Sequence, residues 1–320
     1  MLDNLIFSLN STMPLFLMML LGYLLCRTKF LNESFVSMAN KFVYHVTLPV
    51  MLFYDLAVMD IRASFDAAYV GFCAAVTVVS ILGIWGLSRL LLRDKSIVGE
   101  FVQGSYRSSA AILGTAFIQS IYGTSGMGGL MLLGSVPLYN VFAVLILTLE
   151  CPDAKGQTMP LGKKLCHSIV DVLRNPTLIA IALGLLASLI SLPMPTMVSK
   201  SLSSLGGITT PLALIIVGAG FKGETVRSKI GPTVWATAVK LLILPAVFLP
   251  VAVWLGFTDQ KLVALLVMLG SITTPSAYVM AKQMGHEGTL TASICAATTL
   301  FSALTLTLWL FLVRSFGLIR

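Results

Sequence analysis

The sequence predicts an all-α polytopic membrane protein of ten transmembrane helices. They form two inverted five-helix repeats, with helices 4 and 9 broken and crossing at the midplane. Three observations predict it. The composition is too apolar for a water-soluble domain, apolar runs of spanning length follow one another, and proline and glycine landmarks recur at one fixed offset.

Of the 320 residues, 57% are hydrophobic and 11% charged, against roughly a quarter charged in a soluble domain. The five cysteines (Cys26, Cys73, Cys151, Cys166 and Cys295) are odd in number and scattered. None has a CxxC or Cys/His spacing that would hold a disulfide framework or a zinc ion. No metal or cofactor is expected.

A spanning helix needs about 20 mainly apolar residues. The stretches that qualify are 5–26, 34–58, 66–92, 98–121, 127–149, 168–191, 197–219, 231–255, 262–284 and 289–313, here spans 1 to 10. Span 1 lacks a basic leading segment and a small-residue cleavage site, so it reads as a helix and not a signal peptide. Short polar turns separate the spans. The longest, 150–167, holds "ECPDAKGQTMPLGKKLCH" between spans 5 and 6. The chain therefore divides into a first repeat (1–149), a linker (150–167) and a second repeat (168–320).

Charge placement orients these spans. Turns on one side carry Arg27, Lys29, Arg89, Arg93, Lys95, Lys155, Lys163, Lys164, Arg174, Lys222, Arg227, Lys229 and Lys282; the other side carries only Arg62, Lys200, Lys261, Arg314 and Arg320. The positive-inside rule puts the first set in the cytoplasm, with loop 150–167, and both termini outside. A cell (inner) membrane location is expected. The net charge of +8 is then a topology signal with some affinity for anionic lipid, and no nucleic-acid partner is expected.

The repeat rests on four pairs: Pro14 with Pro176, Gly22 with Gly184, Pro49 with Pro211, and Gly123 with Gly285, every pair 162 positions apart. Five spans per half is an odd number, so the second copy enters the membrane upside down. Inverted repeats mark secondary transporters, whose substrates bind near the midplane where discontinuous helices meet. Spans 4 and 9 are equivalent, and both turn polar at their centres, with "GSYRSSAAILG" from Gly104 and "GSITTPS" from Gly270. Proline lacks an N–H and clashes with the preceding turn, and unpaired backbone in hydrocarbon costs several kcal/mol per group. Breaks around Ser108–Gly114 and Thr273–Pro275 therefore belong inside the protein, beside a cavity. The hydroxyls of Ser108, Ser109, Ser271, Thr273, Thr274 and Ser276 can pair with freed backbone groups and with a substrate. Half-helix N-termini aimed at the crossing favour an anion. The plainer alternative is that these small residues only permit close helix packing.

The segment "NKFVYHVTLPVMLFYDLA" (Asn40–Ala57) resembles helix 2 of the auxin efflux carrier family, and "RNPTLIAIALGLL", "PLALIIVGAGF" and "PSAYVMAKQMG" resemble later segments of it. The ordered set covers nearly the whole chain. That family includes plant auxin exporters and bacterial permeases for malate, malonate and similar acids. The lack of a long hydrophilic insert between spans 5 and 6 resembles the bacterial members. The resemblance implies ten helices, with 1, 2, 6 and 7 as scaffold and 3–5 with 8–10 as a mobile transport domain, and a homodimer through the scaffold is among the expected assemblies. The chain also departs from the pattern. Ser109, Gly114 and Ala116 stand where the family usually has the asparagine, glycine and proline of span 4, and span 3 has no lysine beside Asp66.

Charges within spans are functional candidates by default. Lys41 and Lys240 are expected to snorkel to the cytoplasmic surface. Arg107 either lines a cytoplasmic vestibule or contacts the anion. Asp55 is expected to be solvated at the outer end of span 2, with proton coupling as its other reading, and His45 to pack. Lys261, on an outer loop, is expected to be inert. An intramembrane enzyme is disfavoured, because no H-e-x-x-H is present and His45, His167 and His286 sit on different elements. The expected function is elevator-type transport of a small organic acid. A sodium-coupled symporter of the bile-acid type, which shares the crossed architecture, and a ligand sensor on the same fold are the alternatives.

Overall fold

The computed structural model describes residues 2–58, 66–110, 118, 121–122, 126–151, 175–220 and 229–319. Among these, every regular element is helical, and strand-type pairing is confined to an isolated bridge between Ser108 and Thr273. Five stretches are long and apolar enough to cross a membrane: Ala67–Leu91, Met127–Leu149, Thr196–Ala219, Ile230–Trp254 and Thr289–Ser315, with Met13–Arg27 and Pro176–Leu189 as shorter apolar helices. The chain is an all-helical polytopic membrane protein. Gly114, Gly123 and the greater part of the 150–167 linker lie outside the described residues.

The first helix, α1 (Leu2–Arg27), meets the next across a short turn. There the Asn32 side chain accepts from Phe35 N at 2.8 Å and starts α2 (Glu33–Phe42). A π turn at Val43–Thr47 then leads into α3 (Leu48–Ala57). Further on, α4 (Ala67–Leu91) and α5 (Val98–Tyr106) precede α6 (Gly126–Leu149). Asn175 caps α7 (Pro176–Leu189), and α8 (Thr196–Gly207) runs into α9 (Thr209–Ala219). A second π turn, Val239–Ile243, joins α10 (Ile230–Ala238) to α11 (Leu244–Trp254). The chain closes with α12 (Asp259–Gly270), α13 (Ser276–Gln283) and α14 (Thr289–Ser315).

Both π turns have one cause. Each ends two residues before a proline, Pro49 or Pro245. A proline ring clashes with the carbonyl four residues back, and an extra residue in the turn relieves that clash while swinging its own side chains to a new face.

Helix contacts use glycine where backbones touch. A side chain at Gly22 would overlap the Ile215 carbonyl, and one at Gly218 would overlap the Met19 carbonyl, so α1 and α9 lie backbone to backbone. Small residues are what permit such approach in a bilayer, where apolar side chains gain nothing by leaving lipid. Gly184 meets the Phe53 carbonyl on α3 in the same way.

Buried apolar side chains form two clusters. The first joins α4, α5 and α6 to α10, α11, α12 and α14 through residues such as Tyr69, Phe101, Met131, Leu265 and Leu306. The second joins α1, α2, α3, α7 and α9 through Met19, Leu48, Leu52, Ile181 and Val217, and it takes in one face each of α6 (Ala143, Val144, Leu147), α13 (Tyr278, Val279, Met280) and α14 (Ala292, Cys295). Leu15 and Val136 touch both.

Candidate functional site

Two helices stop inside the first cluster and leave short extended segments. α5 ends at Tyr106, and Arg107 takes φ −71°, ψ 123°. α12 ends at Gly270, Ser271 takes ψ 175°, and the chain re-enters helix only after Pro275 (φ −59°). These segments meet as antiparallel backbone: Ser108 lies opposite Thr273, and Ser109 N donates to the Ile272 carbonyl at 2.9 Å.

Interrupted helices leave terminal carbonyls and N–H groups without intrahelical partners, and hydrocarbon offers none. Side chains from across the crossing supply them. Thr273 Oγ1 donates to the Gly104 carbonyl at 2.7 Å, and Ser108 Oγ donates to the Val267 carbonyl at 3.2 Å while also bonding Ser271 Oγ. Thr273 N donates to Thr298 Oγ1 on α14 at 3.0 Å. Lys240 Nζ donates to the Tyr106 carbonyl at 2.8 Å.

A cavity of about 80 Å³ opens beside this crossing, and Arg107, Ser108, Ser109, Thr274 and Ser276 face it. So do Tyr139 and Asn140 of α6, Asp55 of α3 and Thr210 of α9, with Leu48, Leu52, Leu56, Leu132 and Val136 as its apolar wall. Ser271 and Thr273, fully buried, hold the crossing itself and do not line the cavity. Thr274 Oγ1 and Ser276 Oγ lie 3.1 Å apart. Pro275 stands at the N-terminal cap of α13.

Arg107 is 3% exposed. It donates from Nη2 to Asn140 Oδ1 at 2.6 Å and from Nη1 to Met280 Sδ at 2.8 Å, both neutral acceptors. No carboxylate pairs with it among the described residues. A buried guanidinium held only by neutral groups keeps its full charge, and an anion entering the cavity relieves the cost of that burial.

A family model described as "Membrane transport protein" matches residues 7–310. The chain belongs to this family of membrane transport proteins. It is the auxin-efflux-carrier-like family that the ordered segments resemble. A protein of Methanothermobacter thermautotrophicus (strain Delta H), described as an uncharacterized transporter, is 21% identical over 307 residues, covering 94% of this chain and 97% of that relative.

Several charges of this transporter sit elsewhere than expected. Lys240 does not snorkel: it is wholly buried, because the π turn before Pro245 swings it inward onto the end of α5. Asp55 is not simply solvated at the outer surface but faces the crossing cavity. Arg107 lines that cavity and not the larger one, about 780 Å³, that opens beside Arg27, Lys41 and Lys282. Lys261 has a partner across the helices. It pairs with Asp66 Oδ2 at 2.5 Å, giving from α12 the lysine that α4 lacks, and it lies over the Tyr69 and Phe257 rings. Glu150, placed at the linker by its polarity, is buried and accepts from Arg89 Nε at 2.6 Å and Trp85 Nε1 at 2.7 Å. Asn140 escaped the sequence reading, although a lone amide three residues after Pro137 in an otherwise apolar span was a signal.

Proposed function

We propose that this transporter moves a small organic anion across the cell (inner) membrane by elevator-type alternating access. In this reading the ten spans form two inverted repeats, with both termini outside and the 150–167 loop cytoplasmic. Spans 1, 2, 6 and 7 make the scaffold and spans 3–5 with 8–10 the moving unit. The first buried cluster, whose members come from spans 3–5 and 8–10 and their immediate flanks, supports that assignment. The observation that carries the function is the crossing. Two broken helices, a guanidinium with no carboxylate partner among the described residues, and the hydroxyls of Ser108, Ser109, Thr274 and Ser276 converge on one cavity.

Neutral donors with one cation suit a carrier, because a carboxylate must be held and then released. The alternative sodium-coupled reading meets an obstacle in Lys240. Coupling cations sit at half-helix C-terminal ends and unwound carbonyls, and the Lys240 side chain already occupies the Tyr106 carbonyl at the end of α5.

Uptake by proteoliposomes from a panel of labelled carboxylates including malate and malonate tests the reading, with sodium replaced by choline in a second arm. Flux of at least one acid, unchanged in choline, is expected. Absence of any flux, with binding retained, would favour a sensor, and flux only in sodium would favour the symporter. Thr274→Val deletes one hydroxyl facing the cavity and keeps the shape. Losing a hydrogen bond to a charged group costs about 1.5–3 kcal/mol, so its affinity for the transported acid should fall about tenfold or more. Unchanged affinity would move the carboxylate elsewhere.

A further inference from the structure

The cavity wall carries two opposite formal charges among its described residues, Arg107 on the α5 side and Asp55 on α3. They do not pair with each other, since no ion pair joins them. Nor does Asp55 accept a hydrogen bond from any described residue. It comes from the second apolar cluster's side of the cavity, whereas Arg107, Ser108 and Ser109 follow directly from a helix of the first. The cavity is thus dipolar. A guanidinium and hydroxyls line it from the crossing, a carboxylate lines it from α3, and leucines and Val136 complete the wall.

A ligand that carries only a carboxylate complements Arg107 and the hydroxyls but leaves the Asp55 carboxylate in the same cavity of about 80 Å³ without a counter-charge. Like charges in one cavity repel. A ligand with both charges meets each wall with its complement. From this arrangement we propose that the transported acid is a small zwitterion, an amino acid. Its carboxylate is taken by Arg107 and the crossing hydroxyls, its ammonium by Asp55, and a short apolar side chain by the leucine wall. The inference rests on the carboxylate site proposed above and narrows its substrate class. It gives Asp55 a direct role in substrate recognition, distinct from proton coupling.

It also separates scaffold from crossing. A zwitterion complements both walls through opposite charges, whereas a simple anion complements only one of them. Substrate with both groups is then the species that joins the two halves of the cavity, and analogues lacking either group lose a charge-assisted contact.

The test is thermal unfolding of the purified full chain with matched pairs: glycine and acetate, L-alanine and propionate, L-valine and isovalerate, each titrated to high concentration, because a ligand of the native state raises its stability by mass action. At least one amino acid should stabilise the parent with an affinity tenfold or more above that of its des-amino partner. Asp55→Asn should lower the affinity for that amino acid about tenfold or more, and raise or leave unchanged the affinity for the des-amino acid. Its melting temperature without ligand should match the parent, since Asp55 has no hydrogen-bond or ion-pair partner among the described residues. Des-amino acids that bind the parent as tightly as the amino acids would overturn the zwitterion and leave the carboxylate site standing. Equal loss of both ligands in Asp55→Asn would overturn the ammonium contact. No stabilisation by any amino acid or carboxylate would overturn both readings.

Discussion

Glu100 lies in α5, is 1% exposed, and reaches across to the start of α14. Its Oε1 accepts from Gly288 N at 2.9 Å, and its Oε2 accepts from Thr291 N at 2.9 Å and Thr291 Oγ1 at 3.1 Å. The first N–H groups of a helix have no partners within it, so this carboxylate serves as an external cap that also ties two chain-distant helices together. In Glu100→Gln the amide oxygen can keep the Thr291 pair, but the new NH₂ then faces Gly288 N–H, donor against donor. One charge-assisted bond is lost, about 1.5–3 kcal/mol. The anion at the helix N-terminus goes too, worth about 0.3–1 kcal/mol and up to about 2 where partly buried. Together the substitution should destabilise by about 2–5 kcal/mol. The assay is thermal unfolding of detergent-purified protein, where a drop on the order of 5 °C or more is expected from the general relation between stability and melting temperature. Glu100→Ala should fall further, since no acceptor remains. A Glu100→Gln protein melting within about a degree of the parent would show that the carboxylate does not hold α14 in this way.

Gly218→Val should abolish recovery of folded protein, because its Cβ would meet the Met19 backbone, whereas Gly83→Ala, with open space around it, should melt like the parent or slightly above it. The comparison is read by size-exclusion chromatography in detergent; a monodisperse Gly218→Val would refute the backbone contact. Glu287 tests the pH dependence. Partial burial raises its carboxyl pKa, but bonds from Lys229 and Thr289 outweigh this and hold it below the ordinary carboxylate value. A depressed folded-state pKa gives stability that is present above the ordinary carboxylate range and lost as pH falls through the folded value. Parent and Glu287→Gln melting temperatures should therefore differ near neutral pH and converge below about pH 4, with a small gap throughout, because the pair is exposed. A gap that widened on acidification would contradict the assignment.

The membrane class and the family were legible because both rest on features spread along the chain: run lengths, total charge, and an ordered set of phrases. The interruption at 271–275 was legible for a local reason, since Pro275 among four hydroxyls cannot continue a helix in hydrocarbon unless protein supplies its partners. The electrostatics of the site were not. Lys240 looked able to snorkel when spans were drawn with 3.6 residues per turn, but an inserted residue before Pro245 turns it the other way, and no periodicity marks such an insertion. Arg107 could be assigned to two walls because its neighbours, Asn140 and Met280, come from other helices. The Asp66–Lys261 pair joins positions 195 apart, and a search confined to one span could not find it.

The crossing also constrains how the protein is made. Ser108 bonds a residue 163 positions later, the Gly104 carbonyl waits for Thr273 at 169, the Tyr106 carbonyl for Lys240 at 134, and Glu100 for Thr291 at 191. At synthesis rates of about 5–20 residues per second, α5 spends on the order of ten to thirty seconds with these groups unmatched. During that interval the nascent first half carries open carbonyls and an uncapped glutamate that the bilayer cannot satisfy. Residues 1–149 expressed alone should therefore remain with the insertion machinery or be degraded. The same fragment co-expressed with 150–320 should be rescued, because the groups it lacks all arrive on the other half.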